Sequence, residues 1–189
     1  MQRGWLLAAA TFWLCPQAAE AGPLSGDAAV STLIASASTD LGMLLKGSAP
    51  TTFRIGSNGG VTPLGGDFMR VRGGDVSPQE VVVRCEPRRA DACREFRQVI
   101  VTVTGDGYVN WPGRAGNFHL DPGSLQGAEL LSASVGPDVS TFVLTCAGAD
   151  CGPSRTIRFN LAFDVRVDPA AGADEAQGAF RYRVSALWQ

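Results

Sequence analysis

Only a few side chains in this 189-residue chain have the types and the spacing that catalysis requires. His119 is the single histidine, and it lies close to Asp121 and Ser124, so a Ser-His-Asp arrangement for acyl transfer has to be considered. No nucleophile elbow surrounds Ser124, which follows a proline and a glycine in a turn sequence. We interpret His119 as an exposed residue at a strand end and expect no enzyme, with a secreted hydrolase as the weakest alternative.

Carboxylates near the C-terminal end could, in principle, bind a cation. Asp164, Asp168, Asp174 and Glu175 lie within twelve positions of one another. Their spacing matches no calcium-binding loop. The simpler interpretation is solvated charge at a strand end followed by an acidic loop, so we expect neither a metal nor any other cofactor.

A third candidate is an aromatic segment rich in glycine, asparagine and proline. Tyr108 and Trp111 lie in it, and Phe118 follows. Aromatic faces flanked by Asn and Arg can stack on sugar rings, which makes Tyr108 and Trp111 a candidate glycan-binding loop. The alternative is that both rings cap one end of the fold and shield its core.

The N-terminus predicts export. Arg3 supplies a positive charge, residues 5–14 form an apolar run, and Ala19 and Ala21 provide the small residues of a cleavage site. We therefore expect a secretory signal peptide over residues 1–21 and a single mature domain over residues 22–189, located in the periplasm, on the outer surface or outside the cell. The apolar run is too short for a transmembrane segment, and a net charge of −2 argues against nucleic acid as a partner.

Four cysteines remain after such a cleavage: Cys85, Cys93, Cys146 and Cys151. An even number in an exported chain predicts two disulfides, for which three pairings exist. The spacing favours two local bridges, Cys85–Cys93 and Cys146–Cys151, each at the tip of a hairpin. A zinc site is the competing interpretation, and the single histidine argues against it.

The elements that must position these residues are predicted to be strands. Helical periodicity is nearly absent, whereas apolar and polar residues alternate over many short segments separated by glycine-rich turns. The clearest run has apolar residues at every odd position from Ile157 to Val167. Roughly nine or ten strands at this spacing predict an all-β, antiparallel sandwich. The predicted strands lie near residues 29–38, 51–55, 68–72, 81–85, 99–103, 117–120, 129–134, 142–146, 157–167 and 180–188.

The last strand is the most regular. One face carries the apolar residues and a glycine, and Arg181, Arg183 and Ser185 occupy the other. A strand of this kind needs a partner, which could be a strand of the same domain, an assembly chaperone or a neighbouring subunit. It could form a hairpin with residues 157–167 or belong to the opposite sheet. The residues of its apolar face are Gly178, Phe180, Tyr182, Val184, Ala186 and Trp188.

Three short motifs give the chain a resemblance to a known class of protein. They are Asp40-Leu-Gly-Met43, Thr52-Phe-Arg-Ile55 before a glycine turn, and the C-terminal segment from Gly178 to Trp188. With them the chain resembles a pilin-related domain family of uncharacterised function in exported bacterial proteins, similar to chaperone–usher pilus subunits. The resemblance implies an immunoglobulin-like sandwich, a periplasmic chaperone and neighbouring pilus-like subunits as partners, and a structural or adhesive function at the cell surface.

In such subunits the sandwich lacks one strand, which a chaperone and then the next subunit supplies. The resemblance implies that Phe180, Tyr182, Val184, Ala186 and Trp188 edge the groove and that Gly178 opens the strand. Residues 22–27, which precede the first predicted strand, are few for a donor segment. A complete sandwich acting as a self-contained secreted binding module therefore stays open as an alternative.

Overall fold

The computed structural model describes residues 28–34, 40–45, 47–74, 76–87, 97–106, 113–146, 156–169, 175–179 and 181–189. Over these ranges the chain forms thirteen strands and a 3-10 turn, Pro122–Ser124, and no helix in them could span a membrane. The strands are β1 (Ala28–Ile34), β2 (Asp40–Leu45), β3 (Thr51–Ile55), β4 (Val61–Gly65), β5 (Met69–Gly73), β6 (Gln79–Pro87), β7 (Gln98–Asp106), β8 (Gly113–Leu120), β9 (Glu129–Ser134), β10 (Val139–Thr145), β11 (Thr156–Val167), β12 (Glu175–Ala179) and β13 (Arg181–Trp188).

The largest sheet is built around β11, and every strand pair in it is antiparallel. Leu161 pairs with both β6 and β8, and Val165 pairs with both β3 and β8. A residue in a sheet has one neighbour on each side, so β6 and β3 follow one another along one side of β11 while β8 occupies the other. β1 lies beyond β6, and β4 lies beyond β3.

Two further antiparallel sheets complete the fold. One has four strands in the order β13-β7-β10-β9, and the other has three in the order β12-β2-β5. The structure thus decides a question that the sequence left open, because β11 and the C-terminal strand β13 belong to different sheets and do not form a hairpin.

The core lies between the two larger sheets, and the alternating residues fill it as predicted. All six odd-numbered residues from Ile157 to Val167 are buried. They face buried residues of the four-stranded sheet, for example where the rings of Phe159 and Phe142 meet edge to face at 6.4 Å between centroids. Phe118, Phe163 and Tyr182 form a second ring cluster, with centroids 5.3 to 5.6 Å apart, that joins β8, β11 and β13.

The prediction of an all-β, sandwich-like antiparallel fold is confirmed, but the strands are more numerous than nine or ten. The additional ones are β2, β4 and β12. Each has a sequence that strands disfavour: β2 contains Gly42 at a φ of 84°, β4 contains Pro63, and β12 reads Glu-Ala-Gln-Gly-Ala. Pairing with neighbouring strands overrides these weak local preferences.

Candidate functional site

The C-terminal strand β13 lies at an edge of the four-stranded sheet. Its ladder with β7 runs from Arg181 opposite Asp106 to Trp188 opposite Val99. Within the described ranges β7 is the only strand that shares a ladder with it. β13 therefore has one paired side and one side without a ladder.

The hydrogen bonds at the end of β13 show which of its backbone groups face outward. Gln189 and Gln98 exchange two bonds, with N···O distances of 2.8 and 2.9 Å. Such bonded pairs alternate along an antiparallel ladder, so the odd-numbered residues of β13 bond to β7. The N–H and C=O groups of Tyr182, Val184, Ala186 and Trp188 therefore point away from β7, along what we call the outer edge of β13.

The side chains of these same four residues point into the protein's own core. Val184 and Trp188 are buried, and Tyr182 and Ala186 pack against the core cluster. The predicted alternation is thus confirmed for this part of the strand. Gly178 does not open it, because Gly178 lies in β12, where the ladder with β2 shifts register; Phe180 lies outside the described residues.

Two polar groups near this edge are withdrawn from solvent. The hydroxyl of Tyr182 donates a hydrogen bond to Oε1 of Gln79 on β6, at 2.9 Å, and burial raises the pKa of the phenol above its usual range. The indole Nε1 of Trp188 is buried and has no hydrogen-bond partner in the part of the chain that the structure describes. An unsatisfied buried donor costs free energy, so Trp188 marks a place where an acceptor would be stabilising.

β1 lies beside β13 without pairing with it. Cα atoms of the two strands approach within 8 Å, yet β1 forms its ladder with β6 in the other sheet. We call this boundary the β1–β13 seam. It is a place where two sheets meet without a ladder over the described residues.

A second feature is a polar cleft of about 500 Å³ between β8, the β9–β10 turn and β11. The sequence singles out Asp164 and Asp168 as carboxylates but does not predict the cleft, because Arg114, Asn117 and Asp138 are distant in the chain and meet them only in the fold. We call it the β8–β11 cleft. The side chains that define it are Arg114, Asn117, Asp138, Asp164, Arg166 and Asp168.

Asp164 forms the inner wall of this cleft and is 8% exposed. Its Oδ1 accepts a hydrogen bond from Nε of Arg54 at 2.9 Å, and its Oδ2 accepts one from Nη2 of Arg54 at 3.2 Å. The carboxylate raises the pKa of the Arg54 guanidinium through hydrogen bonding and charge attraction. The paired geometry of the two planar groups fixes the orientation of Asp164.

Asn117 completes this arrangement from a β-bulge in β8. Two residues, Asn117 and Phe118, stand opposite Phe163 alone where the ladder with β11 shifts. Asn117 has a φ of 50°, a left-handed conformation that asparagine tolerates better than most residues. Its backbone N–H donates to the carbonyl of Gly136, and its Nδ2 donates to Oδ2 of Asp164 at 3.2 Å. The bulge thereby turns the amide toward the cleft wall.

Two ion pairs stand at the mouth of the cleft. Arg114 contacts Asp138 at 3.0 Å, and Arg166 contacts Asp168 at 3.0 Å. All four side chains are substantially exposed. Their remaining N–H and carboxylate groups can reach a molecule in the cleft.

The predicted Ser-His-Asp residues are not brought together as a catalytic site. His119 is exposed on β8, while the hydroxyl of Ser124 donates to the carbonyl of Asp121 and accepts from the N–H of Asn160. Ser124 thus binds backbone groups of its own turn and of β11. Of the four carboxylates considered for calcium, Asp164 and Asp168 line the cleft; Glu175 starts β12, and Asp174 lies outside the described residues.

The cysteine and aromatic predictions are only partly covered by the described residues. Cys85 is buried in β6, Cys146 follows β10, and neither is a free thiol. Cys93, Cys151, Tyr108 and Trp111 lie outside the described residues, so the pairing and the glycan loop stay predictions. The hairpin-tip prediction is wrong, because β6 and β7 belong to different sheets, as do β10 and β11.

Comparison with known proteins identifies no family for this chain. No family model, no curated protein and no solved structure matches the chain.

Proposed function

We propose that this protein is a structural or adhesive subunit of the bacterial cell surface, pilus- or fimbria-like, that is held to its partner by β-strand addition at the outer edge of β13. The observation that carries the proposal is the direction of the backbone groups of Tyr182, Val184, Ala186 and Trp188, which no described strand satisfies. An edge of this kind accepts an extended segment through main-chain hydrogen bonds.

The surroundings of the edge support the same function. The β1–β13 seam borders this edge: β1 approaches β13 to within 8 Å but forms no ladder with it, so a strand that pairs with β13 would take the place of this unpaired contact. The unsatisfied Nε1 of Trp188 lies at the end of the strand, where an added segment could offer an acceptor. A periplasmic chaperone would occupy the edge first, and a neighbouring subunit would then replace it.

The proposal includes features that the sequence predicts. They are export of the mature domain, an immunoglobulin-like strand arrangement, and the local disulfides Cys85–Cys93 and Cys146–Cys151. Each bridge would close a short connection between strands of different sheets. Such bridges suit an exported domain.

The test uses hydrogen exchange on purified residues 22–189, with a synthetic peptide of residues 22–38 as the probe strand. Without peptide, we expect the amides of Val184, Ala186 and Trp188 to exchange faster than those of Ser185 and Leu187, which bond to β7. The peptide should slow the first group and raise the midpoint of thermal unfolding. A scrambled peptide of equal composition is the control.

A pair of variants makes the test specific to the edge. Ala186→Pro removes one outward N–H and should abolish the effect of the peptide, whereas Ser185→Ala alters only an exposed side chain and should preserve it. A very stable monomer whose edge amides are already protected, and which gains nothing from the peptide, would overturn the proposal.

A further inference from the structure

The β8–β11 cleft is a built polar site that strand addition at β13 does not use. Its inner wall includes Asp164 and Asn117, and Asp164 is held by Asn117 and by Arg54, which lies beside the cleft, through three hydrogen bonds of 2.9 to 3.2 Å. Asp164 is buried and held from two strands. These polar groups therefore keep a fixed geometry before any ligand arrives, which reduces the entropic cost of binding.

The backbone at the base of the cleft is equally fixed. Gly116 lies so close to the carbonyl oxygen of Pro137 that a Cβ at this position would overlap it. The neighbouring N–H of Asn117 donates to Gly136 in the same turn. β8 and the β9–β10 turn are thus held in direct backbone contact, and the left-handed Asn117 is the residue at which the chain bends. Backbone in sparsely populated conformations is concentrated at binding sites.

The charge of the cleft restricts the chemical class of its ligand. Its lining contains Arg114, Arg166 and three aspartates, at positions 138, 164 and 168, and Arg54, which lies beside the cleft, pairs with Asp164. Every one of these charges has an opposite partner at 3.0 Å or less, so neither a free anion nor a free cation meets an uncompensated charge. What the mouth of the cleft offers is adjacent N–H donors and carboxylate acceptors from the two exposed ion pairs.

We propose that the β8–β11 cleft binds a neutral, polyhydroxylated ligand, one or two sugar rings of a glycan. Each hydroxyl of a sugar both donates and accepts hydrogen bonds. Neighbouring hydroxyls can therefore bind the adjacent arginine donors and aspartate acceptors of the two ion pairs, whose charges compensate each other. A volume of about 500 Å³ accommodates a ligand of that size. This binding function is independent of strand addition at β13 and stands on different residues.

The test is saturation-transfer NMR followed by titration on residues 22–189, with glucose, galactose, mannose, N-acetylglucosamine and lactose as probes. At least one probe should bind saturably, with a Kd on the order of 1 mM for so small a ligand. Glycine serves as the zwitterionic comparison and should not compete with the sugar.

Three variants locate the binding. Asn117→Gly keeps the left-handed backbone and removes the amide, and Arg166→Ala removes an exposed donor; each should weaken binding roughly tenfold. Arg158→Ala is the matched control, since Arg158 lies on the same strand in an ion pair with Glu80 but outside the cleft. Thermal unfolding verifies that each variant is folded. If Asn117→Gly does not fold, the binding measured for Arg166→Ala is the test of the proposal.

Two outcomes would overturn the proposal. One is the absence of saturable binding for all five sugars. The other is binding with the wrong properties: binding that Arg166→Ala and Asn117→Gly leave unchanged would place the ligand elsewhere, and binding that glycine displaces would assign the cleft to charged molecules.

Discussion

Phe163 is the residue through which three strands of two sheets come into contact. It is fully buried on β11, and its ring lies 5.3 Å from that of Phe118 on β8 and 5.6 Å from that of Tyr182 on β13. The ring cluster continues to Gln79 through the hydroxyl of Tyr182. A change at Phe163 therefore affects the centre of the fold and both of its larger sheets.

Phe163→Asp should prevent folding. The change removes a large buried side chain and puts an unpaired carboxylate in its place, at a cost of several kcal/mol, roughly 3 to 5 for the lost ring alone. Leu131→Asp is the matched control, because Leu131 is 59% exposed on β9. Circular dichroism and urea unfolding distinguish the two, and a cooperatively folded Phe163→Asp variant would contradict the burial of this ring.

Asp67 should make stability depend on pH in the acid range. The Ser48 hydroxyl and the backbone N–H groups of Ala49 and Ser48 donate to its carboxylate and lower its pKa below the ordinary value of 3.8. The carboxylate stays charged down to a lower pH in the folded state than in the unfolded state. Its contribution is therefore complete from about pH 5, above the unfolded-state pKa, and is lost as the pH falls through the lower, folded-state pKa.

Urea unfolding between pH 5 and pH 2 measures this effect. Asp67→Asn should lose less stability over that interval than the unmodified chain does, and Ser48→Ala should fall between the two. Equal acid sensitivity of all three proteins would exclude Asp67 as a source of the pH dependence.

Asp164 shows which part of the candidate site the sequence could predict and which part it could not. Its even-numbered position in β11 predicts a solvated side chain, and the odd-numbered residues around it are buried as predicted. The burial of Asp164 depends on Arg54, which is 110 positions away, and on Asn117, which a bulge reorients. Alternation within one strand contains no information about either neighbour, so the cleft could not be predicted from the sequence.

At the scale of elements, β8 lies in close backbone contact with several neighbours. It pairs with β11 on one side, and its Gly116 meets the β9–β10 turn. Gly105 of β7 crosses it so closely that a Cβ there would overlap the carbonyl oxygen of Ala115. The sequence gives no sign of the steric role that Gly105 and Gly116 have at these contacts.

Gly105→Ala should destabilise the protein by about 1 to 3 kcal/mol, because the added methyl forces β7 and β8 apart. Gly65→Ala on β4 is the matched control, since a Cβ at that position would meet no atom within 4 Å beyond its chain neighbours. Thermal or urea unfolding gives both values. Equal stabilities of the two variants would show that β7 and β8 can separate without cost.

Elements with strong alternation, such as β11 and the part of β13 from Tyr182 to Trp188, could be predicted from the sequence. Elements such as β12 could not, because its five residues acquire a strand conformation only by pairing with β2. The same limitation applies to which strands neighbour one another. Nothing in residues 181–188 specifies that β7 is their partner or that their other side has no ladder among the described strands.

At the scale of the whole molecule, the connections at the cysteines pass between sheets. The first leads from β6 in the largest sheet to β7 in the four-stranded sheet, and the second leads from β10 back to β11. A bridge within such a connection restricts the chain at the point where it changes sheets. The entropic gain from a bridge grows only slowly with loop length, and it is moderate for loops as short as these.

Intact-mass analysis of residues 22–189 tests the two predicted bridges. Reduction should add the mass of four hydrogen atoms, and peptide mapping without reduction should recover Cys85 with Cys93 and Cys146 with Cys151. Each bridge should add about 2 to 3 kcal/mol to the free energy of unfolding if it acts by restricting the unfolded chain. Four thiols that react with alkylating agent in the native, unreduced protein would refute the bridges.

The central position of β11 has a consequence for the order of events during synthesis. β3, β6 and β8 come earlier in the chain, yet they join into one sheet only through residues 156–167. The ribosome must therefore complete most of the chain before the largest sheet can close, and contacts this distant in sequence form slowly. Until then β3, β6 and β8 each keep an unpaired side, and a holding partner would protect the nascent chain from aggregation during that period.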